Sequence, residues 1–155
     1  MKNIISSKTI LAGLLVGTLD IIAACIQFYL KTNKNPEIVF RYIASGAFGP
    51  DAYTGGSSMI VWGLFFHYLI AMSFTFFFFW LVQKFPAIMK QKFITTILYG
   101  VFMWAITQLV VVPLSKIPAR TITFSAAITA IAILIVCISF PLILIADKNN
   151  TSKKE

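Results

Sequence analysis

The sequence predicts an all-α membrane protein, with four transmembrane helices in a bundle and a short interfacial helix in the first external loop. Three observations predict it. Hydrophobic residues make up 59% of the 155 and charged residues 12%, with a mean hydropathy of +0.87, far outside the range of soluble domains. Four apolar stretches, 9–30, 57–81, 93–112 and 123–146, are long enough to cross a hydrocarbon layer of roughly 30 Å at about 1.5 Å per helical residue. The basic residues stand at the edges of those stretches. Backbone groups in lipid must be satisfied within their own segment, and four segments cannot close a barrel, so the spans are helices. Residues 1–155 read as a single integral membrane domain.

The first stretch carries the most unusual residue. Gly13, Gly17, Asp20, Ala24 and Gln27 advance by alternate fours and threes, which places them on one stripe of a helix while Leu, Ile and Val cover the rest. That stripe is expected to face protein. Lys2 and Lys8 ahead of an apolar run, with Ile22-Ala23-Ala24-Cys25 within it, could suggest a lipoprotein signal. Asp20 would then lie inside the signal core, and the apolar run continues past the supposed cut. A spanning helix is the better reading.

The next segment, Lys31 to Gly56, is too long for a simple connector. Asn35-Pro36-Glu37 has the composition of a helix start, and Ile38, Val39, Tyr42 and Ile43 then share a face before Gly46, Gly49-Pro50 and Gly55-Gly56 end it. A short helix at the membrane interface or capping the bundle is expected; a solvated loop is the alternative. In the second stretch Gly63, His67 and Ala71 repeat at i, i+4 and i+8, so His67 is expected to look into the bundle. Phe74 to Trp80 then brings aromatic bulk to an interface. The third stretch carries Gly100, Trp104, Thr107 and Gln108 and ends at Pro113. The fourth begins with small residues (Ser125, Ala126, Ala127, Thr129, Ala130) and has Pro141 near its end.

Charge sets the expected orientation. The net charge of +8 comes from basic residues scattered between spans, not gathered on one polar face, so nucleic acid is not the expected partner and the lipid bilayer is. Lys2, Lys8, Lys84, Lys90, Lys92, Lys148, Lys153 and Lys154 fall on one side, against Lys31, Lys34, Arg41, Lys116 and Arg120 on the other. Both termini are therefore expected in the cytoplasm.

Candidate chemistry centres on Asp20 and His67. An ionisable group near mid-membrane costs several kcal/mol unless neutralised, paired or hydrated, and beside the only histidine it makes a proton-accepting or cation-binding pair. Gln27 and Gln108 complete an expected polar pocket, and Arg41 and Arg120 stand at its outer rim. The same groups could instead fix helix register by hydrogen bonding. No cofactor or metal is expected. The chain has one histidine for a haem, lacks a zinc ligand set, and its two cysteines, Cys25 and Cys137, lie in apolar runs as packing residues. A Ser45, His67, Asp20 hydrolase is conceivable, but Ile43-Ala44-Ser45-Gly46-Ala47 lacks the nucleophile-elbow pattern. Two functions follow: a small transport or proton/ion-coupled protein, or a structural or accessory subunit, as a homo-oligomer or within a larger membrane complex. The substrate is not legible.

Tyr42-Ile43-Ala44-Ser45-Gly46, Gly55-Gly56, Gly63-Leu64 with His67 and Ile70-Ala71, Tyr99-Gly100 and Pro113-Leu114-Ser115 form an ordered set. In this the chain, from about Asp20 to Pro141, resembles a group of small uncharacterised bacterial inner-membrane proteins with four predicted helices. The resemblance implies a bacterial inner-membrane location and no particular activity. Some of that group carry a histidine in the last span, where this chain has the apolar run Ile131 to Val136, so a two-histidine ligand scheme does not transfer.

Overall fold

The computed structural model describes residues 6–118 and 121–151, and among them every regular element is helical. Among the described residues four helices are long and apolar enough to cross a membrane: Ser7–Thr32, Ser58–Lys84, Pro86–Leu114 and Phe124–Lys148. The protein is therefore membrane-embedded and multi-pass. The spans read from hydropathy match these helices closely, except that the third begins earlier, with a 3-10 turn at Pro86–Gln91 before Lys92–Ile106.

The first span starts where Ser6 Oγ accepts the Thr9 amide at 3.3 Å and stops at Asn33, whose left-handed φ of 52° lets its N–H return to the Tyr29 carbonyl, a conformation asparagine tolerates. Its buried residues, Thr9, Ala12, Gly13, Val16, Gly17 and Ile21, form one stripe; of the expected inward stripe Gly13 and Gly17 are buried, whereas Asp20, Ala24 and Gln27 are half-buried. Leu11, Leu15, Ile22 and Ile26 are exposed, which suits lipid and would be a liability in water. The second span packs on that stripe. A Cβ at Gly17 would stand 3.0 Å from the Tyr68 ring and 3.2 Å from Ala71 Cβ, so the absent side chain allows the close approach.

Phe78, Met103, Leu142 and Val16, one from each span, are fully buried and mark the core. Tyr99 donates its hydroxyl to the Phe74 carbonyl at 2.6 Å, tying the third span to the second. Ser139 Oγ donates to the Thr96 carbonyl at 2.7 Å, tying the fourth to the third. The small residues at the start of the fourth span do not make its closest contact, since no residue of Phe124–Leu134 is buried. The approach comes at Ile135, which lies against Gly100; the glycine of the third span supplies the space.

Two π-helical segments, Thr107–Val111 and Ile135–Ser139, stand just ahead of Pro113 and Pro141. Proline lacks an N–H and its ring crowds the preceding turn, and a widened turn relieves both. The helix accordingly continues through Pro113 to Leu114, past the end expected from sequence.

The first connecting segment forms a helix, Glu37–Phe48, followed by one turn at Asp51–Thr54. Asn35 Oδ1 accepts the Glu37 amide at 3.0 Å, and Gly49, at φ 68°, breaks the helix where a side chain would be strained. Ala44 and Ser45 are buried, and the Phe40 carbonyl sits directly on Gly63 of the second span. At its far end the Gly46 carbonyl accepts the Lys116 amide at 2.9 Å, joining the two loops on that side. At the opposite side Lys92 Nζ meets Asp147 Oδ2 at 2.7 Å. These two contacts mark the two ends of the molecule.

Candidate functional site

Asp20 is half-buried near the middle of the first span, one turn beyond the glycine that admits the second span. Facing that glycine is His67. Its Nε2 lies 2.8 Å from the Gly17 carbonyl. A carbonyl oxygen only accepts, so Nε2 carries a proton and donates it, which leaves Nδ1 as the acceptor of the neutral ring. Asp20 lies within electrostatic reach of His67, though the histidine's bond goes to the backbone. Among the described residues no side-chain hydrogen bond to Asp20 forms.

The structure adds two groups that the sequence did not point to. Cys137, a half-buried free thiol in the π-helical segment of the fourth span, is within electrostatic reach of Asp20. Its matching mid-span depth was the available signal, masked because a cysteine in an apolar run usually only packs. Beside His67, Tyr68 bonds Thr18 Oγ1 at 2.7 Å. Thr18 donates its own proton to the Leu14 carbonyl at 2.8 Å, so the tyrosine is the donor in the pair.

The remaining candidates lie apart. Gln27 is two turns further along the first span, about 10 Å by helical rise, and lines a cavity with Ala24, Tyr42 and Tyr53. Gln108 is half-buried in the π-helical segment of the third span, with no contact that joins it to Asp20. Arg41 is occupied within the loop. It pairs with Glu37 Oε1 at 2.6 Å, donates to the Ala52 carbonyl at 3.2 Å, and reaches the Gly55 carbonyl as well. Arg120 lies outside the described residues.

No hydrolytic triad assembles, because Ser45 is fully buried and donates to the Tyr42 carbonyl at 2.7 Å, while His67 is committed to Gly17. Among the described residues no group of three or more His, Cys, Asp or Glu side chains could hold a metal ion. No protein-family model, curated protein or solved structure matches the chain.

Proposed function

We propose that this protein is a small transport or proton/ion-coupled membrane protein whose working group is Asp20, with His67 as its proton-exchanging neighbour. One observation carries the reading: the only histidine of the sequence is held at the Gly17 carbonyl, 2.8 Å away, one turn of the first span before the mid-span carboxylate Asp20. Such a group is costly in a membrane and is kept, by default, for a path or a site. In this reading the four spans form a bundle in a bacterial inner membrane. The basic residues of the 84–92 loop and both termini lie in the cytoplasm, and Glu37–Phe48 lies at the outer interface. The surrounding bilayer is its first partner, and homo-oligomerisation or a larger complex is compatible with the exposed apolar faces.

The test is proton flux into liposomes carrying an internal pH indicator, with the full chain reconstituted and a potential imposed. Asp20→Asn and His67→Gln are each expected to lower the flux about a hundredfold or more, the lower end of the range for loss of a proton-transfer group. Wild-type flux in both variants would end the transport reading.

The hydrogen bond from His67 to the Gly17 backbone favours a second reading, an accessory subunit whose polar groups only fix helix register. If Asp20→Asn and His67→Gln both abolish membrane assembly, this second reading gains.

A further inference from the structure

Between the first span and the loop helix lies a cavity of about 270 Å³ lined by Ala24, Gln27, Phe28, Ile38, Tyr42 and Tyr53, among others. Its lining contains no cation. Ile38 and Tyr42 share one face of the loop helix, and Glu37 and Arg41 share the next. The guanidinium is held on that other face by Glu37 and by the Ala52 and Gly55 carbonyls. Three aromatic rings from three separate elements, Phe28, Tyr42 and Tyr53, meet at the cavity, and aromatic faces of this kind attract a positive charge. Ala24 is part of the lining, and Asp20 sits one turn below it on the same stripe, at i−4. The chamber has an amide, Gln27, in its wall, and Asp20 stands one helical turn before Ala24 without lining the cavity.

We propose that this cavity binds a small monovalent organic cation of the alkylammonium class, with its charge against the Phe28, Tyr42 and Tyr53 rings and directed toward Asp20. The inference rests on the transport reading above and names its substrate class. The volume sets the size. Pockets for drug-sized ligands span roughly 300–1,000 Å³, so a quaternary ammonium bearing methyl groups fits and a large hydrophobic cation does not. Gln27 is placed to bond a hydroxyl or carbonyl on the ligand's tail.

Equilibrium binding of radiolabelled choline to the detergent-purified full chain tests this, with 3,3-dimethylbutan-1-ol, its uncharged carbon counterpart, as competitor. Saturable binding is expected, with the alcohol failing to displace choline. Removing the charge in Asp20→Asn is expected to weaken binding at least about tenfold. Tyr53→Leu is expected to weaken it about three- to tenfold, while Tyr53→Phe, which keeps the ring, stays near wild type. Tyr53 is exposed on a loop turn, so its variants keep the test valid should Asp20→Asn fail to fold. Displacement by the alcohol at equal concentration, or wild-type affinity in Tyr53→Leu, would overturn the proposal. Proton flux on the same preparation separates the two claims. Intact flux without choline binding sinks the organic cation and leaves the proton path, whereas choline binding without flux sinks the proton path alone.

Discussion

His67 donates Nε2–H to the carbonyl of Gly17, 2.8 Å away, so the only imidazole in the chain is fastened to the backbone one helical turn before Asp20. The bond is possible because Gly17 has no side chain: a Cβ there would press on Tyr68 and Ala71. Register between the first two spans and the placement of the histidine are thus one and the same contact.

Replacing His67 separates its two roles. Glutamine retains an N–H donor able to reach the Gly17 carbonyl, whereas alanine does not. His67→Ala is expected to cost about 0.6–2 kcal/mol of stability, the range for an interhelical hydrogen bond in a membrane, and His67→Gln much less. Both are expected to lose proton flux. Thermal unfolding in detergent, read beside the liposome assay, checks this, and a His67→Gln variant with wild-type flux would reduce the histidine to a fastener.

The glycines rank by what a methyl group would strike. At Gly63 it overlaps the Phe40 backbone carbonyl, at Gly17 it meets the Tyr68 ring and Ala71, and at Gly13 it meets the Met72 thioether. Backbone cannot yield, a ring yields a little, and a methionine end rotates aside. Unfolding midpoints should therefore fall most for Gly63→Ala, less for Gly17→Ala and least for Gly13→Ala. The first is expected to reach or exceed the usual overpacking cost of about 1–3 kcal/mol. Equal losses at the three positions would mean the helix crossings are placed wrongly.

The spans and their inward stripe were legible in the sequence because lipid imposes a simple rule on length and hydropathy, and because Gly13, Gly17, Gly63 and Ala71 recur at helical spacing. The loop helix was legible from Asn35-Pro36-Glu37 and a glycine stop. The pocket was legible only in part. Asp20 and His67 lie within electrostatic reach, but Gln27 belongs to the outer cavity and Gln108 to the third span's π-helical segment. Helix periodicity gives the direction of a side chain within its own helix; it does not give the rotation of one helix against another. Arg41 was expected at an open rim and is held inside its loop, because partners at Ala52 and Gly55 depend on how the chain turns after Gly49. The π-helical segments follow from Pro113 and Pro141 only once neighbouring spans keep the helix from ending there.

The two ion pairs seen among the described residues should behave differently. Lys92 and Asp147 are both nearly half exposed, and Asp147→Asn is expected to change stability by less than about 1 kcal/mol. Arg41 combines its pairing to Glu37 with two backbone carbonyls, a fork geometry that lysine does not reproduce. Arg41→Lys is expected to loosen the turn after Gly49, accelerating protease cleavage near Gly55-Gly56 without moving the global unfolding midpoint. Cleavage at the wild-type rate would show that the clamp does not hold the turn.

Sidedness follows from the two loop contacts. Gly46 bonds Lys116 at one end of the molecule and Lys92 pairs with Asp147 at the other, so Thr54 and Gln91, both exposed, stand on opposite sides of a membrane crossed by the four helices. In a background with Cys25→Ala and Cys137→Ala, Thr54→Cys is expected to react with a membrane-impermeant maleimide on intact cells. Gln91→Cys is expected to react only after permeabilisation. The reverse pattern would turn the cavity toward the cytoplasm and make any ammonium substrate one that is gathered from inside. Labelling of both positions from the same side would contradict the alternation of the spans, and with it the depth assigned to Asp20.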